Sequence, residues 1–284
     1  MSGPSRDPDL VRRCNRAKVE GIWQYVGRLS GARRQDVPDG CMIRCDLPAE
    51  SPNTFYLFDA QPPFEDRLRA AADFFGRKVP WRVMATGPHV DALGSAATRF
   101  GLRPGSVQPA MALEPIPEPP APPSGLSIRL VTSKSDLSDF AIPWCRGFDI
   151  PKFAVAAALP RVPPDDPERH VVNRFLVGYH DNAPVACATV SVGEGVGEIA
   201  SVAVVPEARG HGFGTAITWS VVKAARDAGA RTASLTATSM GFPVYQRMGF
   251  QSLQDIHSWG VRLGFFGMMG AMRTVRRMSR QSEA

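Results

Sequence analysis

Long apolar runs are missing from this chain of 284 residues. No stretch approaches the roughly 18 uninterrupted apolar residues of a membrane-spanning helix, so we expect no integral membrane segment. The opening residues, MSGPSRDPDLVRR, contain neither the apolar core nor the cleavage site of a secretory signal. We therefore expect a cytoplasmic protein.

Cysteine is scarce and scattered. Five cysteines, an odd number spread over the chain, do not form the pattern of a disulfide framework. The close pair Cys41 and Cys45 has no second pair of Cys or His to complete a zinc site. Neither an H-E-x-x-H motif nor an EF-hand loop is present. The sequence predicts reduced thiols and no bound metal.

The chain before its C-terminal tail has little excess positive charge, although the formal net charge is +6. Beyond Val261 lie five arginines and one glutamate, a net charge of +4, which leaves only +2 for the rest of the chain. A nucleic-acid-binding domain gathers Lys and Arg on a folded face. We therefore predict no nucleic-acid partner and a basic, amphipathic tail at residues 261–284.

Proline is abundant but clustered, and the clusters indicate boundaries. The segment EPIPEPPAPPS at 114–124 blocks both helix and strand, which predicts an extended linker. It separates a domain at 1–113 from a domain at 125–260. With 44% hydrophobic and 21% charged residues, both parts have the composition of globular domains.

The N-terminal part contains alternating helix and strand patterns. Apolar residues at helical spacing predict a helix at 66–75, and a second helix is expected at 89–99. Short apolar segments at 79–84 and 111–113 predict strands. These elements indicate an α/β layer without a catalytic motif.

The C-terminal part predicts a longer series of elements. We expect a strand at 127–131, a helix with Ser135 as its N-cap, and a hairpin at 175–192. A strand at 198–205 precedes a helix whose apolar stripe ends before Gly229, a residue suited to the C′ position. A further strand is expected at 232–237.

A glycine-rich turn lies between the strand at 198–205 and the following helix. It contains Arg209, Gly212 and Gly214 in an R-x-x-G-x-G pattern. The first N–H groups of a helix have no internal partner and attract anions, and glycines let the backbone approach a ligand closely. The turn therefore predicts a phosphate-binding site, with Arg209 adding a charged contact.

Two other phosphate motifs fail at this turn. A dinucleotide fingerprint needs glycine where Thr215 stands, and a P-loop needs a lysine that is absent. The pattern instead closely resembles the pyrophosphate loop of the GNAT acetyltransferases. Downstream, Tyr245, Gly249 and Phe250 resemble the Y-x-x-x-G-F segment of the same family. The resemblance extends over about residues 125–260.

The resemblance implies a fold and a cosubstrate. The implied fold is the mixed-sheet α/β fold of GNAT acyl-CoA N-acyltransferases, with acetyl-CoA as cosubstrate. Its pyrophosphate would bind the backbone N–H groups of Gly210, His211, Gly212, Phe213, Gly214 and Thr215. Its pantetheine arm would pair with Ala203, Val204 and Val205 like an added strand. The thioester would lie where the two neighbouring strands separate.

The resemblance also implies catalytic roles. Glu198 is the candidate base for the acceptor amine, with Glu194 as a substitute, and Tyr245 is the candidate acid for the leaving thiolate. A backbone N–H near Val204 would stabilise the oxyanion. The structural alternatives are an exposed carboxylate at a strand start and a tyrosine that only packs.

Residues 1–113 carry a weaker echo of the same family. Residues 99–102, RFGL, resemble residues 247–250, RMGF, because in both a helix ends at glycine and an apolar residue follows. We interpret the N-terminal part as a degenerate second GNAT-like domain without coenzyme. The alternative is an unrelated α/β domain.

The predicted function is transfer of an acetyl group from acetyl-CoA to a primary amine, by direct attack in a ternary complex. The acceptor, a small molecule or a peptide amine, is left open, as is the oligomeric state. One alternative is a module that binds acyl-CoA without turnover. Another is an interaction protein recruited through the tail at 261–284.

Overall fold

The structure is a computed structural model that describes residues 7–59, 61–77, 79–150 and 171–261. The described residues form two compact units, each drawn from separated segments. The first unit contains residues 7–21, 110–150 and 171–253, and the second unit contains residues 22–109 and 254–261. The tail from 262 onward and the segment 151–170 lie outside the described residues.

Strands and helices alternate along both units, which confirms the predicted α/β class with a mixed sheet. The strands are β1 Arg33–Val37, β2 Gly40–Arg44, β3 Thr54–Phe58, β4 Arg82–Thr86, β5 Arg103–Leu113, β6 Leu126–Leu130, β7 Val172–His180, β8 Ala183–Gly193, β9 Val196–Val204, β10 Thr232–Thr236 and β11 Gln251–Gly260. The helices are α1 Pro8–Val26, α2 Glu65–Phe75, α3 Val90–Arg99, α4 Lys134–Gly147, α5 Phe213–Asp227 and α6 Phe242–Arg247. None of the described helices is both long and apolar enough to cross a membrane.

The sheet of the first unit has the order β5-β10-β9-β8-β7-β6. Strands β6 to β9 form an antiparallel meander, whereas β9 and β10 run parallel and are joined by α5. Residues 110–113 of β5 pair with β10 in antiparallel fashion. A parallel pair requires a crossover connection, so α5 begins at the carboxyl end of β9.

One face of this sheet carries the main apolar core. Ile199 of β9 and Leu235 of β10 are buried together with Ile217 and Val221 of α5. The backbones approach closely at Gly197, where an added Cβ would lie 2.6 Å from the Cβ of Ala225 in α5. Helix α6 packs on the same core.

Helices α1 and α4 cover the opposite face, here called the α1 face. Phe140 of α4 packs on Phe175 of β7 with ring centroids 5.1 Å apart. The α1 residues Leu10, Cys14 and Ala17 are spaced at i, i+4 and i+7 and form a buried cluster with sheet residues. Residues 8–21 of α1 thus belong to the first unit.

The second unit has a sheet of order β1-β2-β3-β4-β11. Strands β3 and β4 run parallel through the crossover helix α2, and the other pairs are antiparallel. Its core is aromatic, with Phe75 and Trp81 stacked at 5.0 Å between ring centroids.

The two units repeat one path. In each, a hairpin leads through a crossover helix to a parallel strand and then to a second helix that ends before a glycine. These glycines, Gly101 and Gly249, have φ of 96° and 95°. The residue after each glycine donates its N–H to the carbonyl five residues earlier, at 2.9 and 3.0 Å. Both helix ends are therefore Schellman motifs, which need a left-handed residue.

Two features differ from the sequence-based expectation. Helix α4 is capped by Ser133 rather than Ser135, because Ser133 and Asp136 bond reciprocally in a capping box. The compact units also do not follow the expected order of one domain before the linker and one after. Residues 7–21 and 110–113 join the first unit because they pack on or pair with its sheet.

We predict that Gly197→Ala lowers the free energy of unfolding by about 1–3 kcal/mol, because the new methyl group forces α5 away from β9. Urea denaturation measures the change. Gly193→Ala is the matched control, since its Cβ would meet only Val171 Cγ2 at 3.5 Å, an ordinary contact. Equal stability of the two variants would contradict the proposed close contact.

Candidate functional site

The turn between β9 and α5 has an open, glycine-dependent backbone. Gly210 and Gly212 have φ of 85° and 80°, a region that side chains disfavour. A Cβ at either position would meet no atom of the described residues within 4 Å. These glycines are therefore required by the backbone conformation, while the space in front of them is free.

A run of backbone donors lines this turn. The N–H groups of Gly210 to Thr215 have no hydrogen-bond partner among the described residues, and the helical pattern starts with Ala216 N–H bonding to the Gly212 carbonyl at 3.0 Å. Six consecutive unpaired donors at a helix N-terminus, reinforced by the helix dipole, suit an anion. The backbone geometry thus suits the phosphate that the sequence predicts here.

Arg209 and His211 flank the donors. The Arg209 Nε donates to the Val204 carbonyl at 3.3 Å, and no acidic side chain of the described residues forms an ion pair with it. His211 is exposed, and its Nδ1 lies 3.0 Å from the Arg209 carbonyl oxygen. Its ring stacks near Phe213 at 5.8 Å between centroids. Arg209 thus adds a positive charge that has no acidic partner among the described residues.

Strands β9 and β10 separate just before the turn. Their pairing ends at Ile199 with Leu235, although β9 continues to Val204. A bulge in β9 places Ser201 at φ 55°. Val205 N–H bonds to β8 at 2.9 Å, so the N–H of Val204 points away from β8 toward the separation. This separation is called the β9–β10 gap below.

Tyr245 lies on α6, packed in the main core beside Phe250. Burial raises the pKa of its hydroxyl to about 12. A raised pKa keeps the phenol protonated at neutral and mildly alkaline pH. The hydroxyl has no hydrogen-bond partner among the described residues, so it is available as a donor.

Glu198 is buried on the α1 face and is not an exposed carboxylate. Its Oε1 accepts from Lys18 Nζ of α1 at 2.6 Å, and its Oε2 accepts from Ser234 Oγ of β10 at 2.5 Å. The Lys18 side chain is 14% exposed and that of Glu198 is 6% exposed. Both charges are therefore largely removed from water and depend on each other.

Cys14 lies close to this ion pair. Burial, and then the charge of Glu198, raises the pKa of the Cys14 thiol to about 12. A thiol with so high a pKa is protonated at neutral pH and is a poor nucleophile. Burial likewise raises the pKa of Cys187.

The structure therefore brings together one end of β9, the turn and the gap, whereas Glu198 lies farther back along β9 with partners that sequence reasoning missed. No sequence pattern indicated Lys18, because a contact between residues 18 and 198 leaves no trace in the local sequence. Within the described ranges no three His, Cys, Asp or Glu side chains gather as a metal site would require.

The comparison with protein families identifies one segment of the chain. The model described as the acetyltransferase (GNAT) family matches residues 148–250. This segment is a GNAT-family domain. The match includes β9, the glycine turn, α5, β10 and α6. A comparison with curated protein sequences gave no match.

Solved structures share the fold over most of the chain. A GCN5-related N-acetyltransferase from Kribbella flavida is 18% identical with a TM-score of 0.66, covering 89% of this chain and 95% of its own. One from Sphaerobacter thermophilus is 18% identical with a TM-score of 0.56, covering 80% and 82%. A tandem GNAT protein from the clavulanic acid biosynthesis pathway is 13% identical with a TM-score of 0.53, covering 88% and 97%.

We predict that Lys18→Met lowers the free energy of unfolding by about 3–5 kcal/mol, because it leaves the Glu198 carboxylate buried without a counter-charge. The double variant Lys18→Met with Glu198→Gln should recover much of the loss. Thermal and urea denaturation at neutral pH measure both.

Arg16→Met is the matched control for this ion pair. Arg16 also lies on α1 and pairs with Glu194 at 3.0 Å, but both side chains are 58% exposed. An exposed pair contributes about 0–1 kcal/mol. If Lys18→Met and Arg16→Met had the same small effect, the buried pair would be no more important than the exposed one.

Proposed function

We propose that this chain is an acetyl-CoA-dependent N-acetyltransferase that acetylates a primary amine by direct attack in a ternary complex. The observation that carries the proposal is the run of six N–H groups from Gly210 to Thr215 that have no partner within the described part of the chain and lie beside the β9–β10 gap. The GNAT-family match over the same elements supports it.

The residues at this site suit the phosphates and the arm of the cosubstrate. The N–H groups of Gly210, His211, Gly212, Phe213, Gly214 and Thr215 would bind the pyrophosphate, with Arg209 adding charge. The segment Ala203, Val204 and Val205 would receive the pantetheine arm as an added strand, on the side where the Val204 N–H faces away from β8. The open space at Gly210 and Gly212 supports this fit.

Three groups of the chain would then act on the reaction. Glu198, paired with Lys18, accepts the amine proton through water on the α1 face. The Val204 N–H, which points into the gap, stabilises the oxyanion. Tyr245 donates a proton to the departing thiolate, for which its raised pKa keeps it in the protonated form.

Direct attack is favoured over a cysteine-linked intermediate. The pKa values of the buried thiols Cys14 and Cys187 are raised, so neither is present as a thiolate at neutral pH. We propose a cytoplasmic enzyme whose acceptor is a small-molecule or peptide amine. The acceptor must reach the gap on the α1 face, where Glu198 lies.

We also propose that the chain is a tandem of two GNAT-like halves, of which only the first unit binds the cosubstrate. The shared path of the two units and the likeness to a tandem GNAT protein support this. The second unit has no R-x-x-G-x-G before α2, where Phe64 is the N-cap residue in helical conformation.

We predict that calorimetric titration of acetyl-CoA gives micromolar binding to the wild type and none to Gly212→Trp. The new side chain fills the space that the phosphates require. Gly229→Trp is the matched control, because Gly229 also has a positive φ of 90° and open space but lies at the other end of α5.

Circular dichroism of both variants checks that they fold. Binding by Gly229→Trp but not by Gly212→Trp supports the site at the turn. Absence of binding by the folded wild type would refute the proposed cosubstrate and direct attention to a partner protein instead.

We predict that Tyr245→Phe lowers kcat about 100-fold, because general-acid help at the sulfur is lost, while the Kd for acetyl-CoA stays within a factor of two. Thiol release with a panel of ethanolamine, putrescine, lysine, glucosamine and an unblocked dipeptide measures turnover. A wild type that binds acetyl-CoA but acetylates no amine would favour the alternative, a module that binds without turnover.

A further inference from the structure

A row of four hydroxyl side chains alternates along β10 and the residues after it. Thr232 Oγ1 donates to Glu114 at 2.9 Å, Ser234 Oγ donates to Glu198, and Thr238 Oγ1 accepts from the Gly241 N–H at 3.1 Å. The fourth, Thr236, has its Oγ1 buried and without a hydrogen-bond partner among the described residues. Of the four hydroxyls, only that of Thr236 thus has no partner among the described residues.

An unpaired buried hydroxyl is costly. A donor or acceptor removed from water without a replacement partner destabilises a fold. Valine has nearly the same shape as threonine and no hydroxyl, so it would fill the site without this cost. The hydroxyl of Thr236 therefore calls for a partner that the described residues do not supply.

The position of Thr236 indicates what that partner is. Thr236 is the last residue of β10, one residue past the end of the β9–β10 pairing at Leu235, and so lies on the rim of the gap. Side chains alternate along a strand, so Thr236 shares the α1 face with Ser234, roughly 7 Å farther along. On β5, its cross-strand neighbour is Ala110, which has no polar side-chain group.

We infer that the Thr236 hydroxyl binds the acceptor amine and orients its lone pair toward the thioester carbon. This inference rests on the proposed function and deepens it by naming a residue that contacts the acceptor. An amine that attacks a carbonyl keeps its N–H bonds directed away from the carbon, and a hydroxyl oxygen accepts one of them. Thr236 lies between the gap and Glu198, where those N–H groups arrive.

The step is balanced by groups already described. The amine nitrogen forms a bond to the carbonyl carbon, and the carbon–sulfur bond breaks. The nitrogen releases one proton toward Glu198, and the sulfur receives one from Tyr245. Thr236 neither gains nor loses a proton, and it acts by orienting the nucleophile.

The test compares Thr236→Val with Thr236→Ser and with Thr232→Val. Thr236→Val should lower kcat/KM for the amine about 10-fold or more, leave the Kd for acetyl-CoA within a factor of two, and leave the melting temperature equal or higher. Thr236→Ser keeps the hydroxyl and should retain most of the activity. Thr232→Val, whose hydroxyl is paired, should melt at a lower temperature with unchanged kinetics toward the amine.

Three results would overturn the inference. Wild-type kinetics in Thr236→Val would show that the hydroxyl contacts no reactant. Weaker acetyl-CoA binding with an unchanged KM for the amine would assign the hydroxyl to the cosubstrate. A melting temperature lowered as in Thr232→Val would show an internal partner. Failure of the proposed function would give a different result, because the wild type itself would then turn over no amine of the panel.

Discussion

The short parallel pairing of β9 and β10 is the constraint on which the first unit depends. Parallel neighbours need a crossover, and here α5 provides it, so the helix must begin where β9 ends. The same crossover that buries Ile217 against the sheet also turns its free N–H groups toward the carboxyl end of the strand. Because the pairing stops at Leu235, the two strands separate at that end. An anion site and an opening between strands therefore arise from one connection.

The two faces of this sheet have different chemistry. The face under α5 is apolar and close-packed, as the approach of Gly197 to Ala225 shows. The α1 face carries a line of polar groups across neighbouring strands, including Asn173, Ser191, Glu198 and Ser234, and Ser191 donates to Asn173 at 2.7 Å. A buried polar line needs satisfied partners, and α1 provides Lys18 for one of them. Glu198, which helps to stabilise this face through Lys18, is thus also the proposed base.

Short-range sequence signals indicate the backbone conformation of the turn and of the helix ends better than they indicate the extent of the two compact units. The turn at Arg209 and the helix ends at Gly101 and Gly249 depend on neighbours within a few residues, so spacing alone indicates them. The partners of Glu198 depend on a contact over 180 positions, for which the sequence contains no short-range signal. The linker at 114–124 suggested that each unit is continuous, but pairing of 110–113 with β10 outweighs the proline-rich boundary. Ser133 rather than Ser135 caps α4, because Asp136 stands three residues after Ser133 and completes a capping box.

The pairing of Lys18 with Glu198 has a consequence for the order of events during synthesis. Translation proceeds at about 5–20 residues per second, so Lys18 of α1 is made roughly 10–40 s before Glu198 of β9, which neutralises its charge. Throughout that interval its buried stripe of Leu10, Cys14 and Ala17 has no sheet to cover it. The second unit, drawn largely from residues 22–109, emerges in the meantime. Residues 8–21 of α1 are thus made well before β9, so the nascent chain exposes the apolar stripe of this helix until that strand is made.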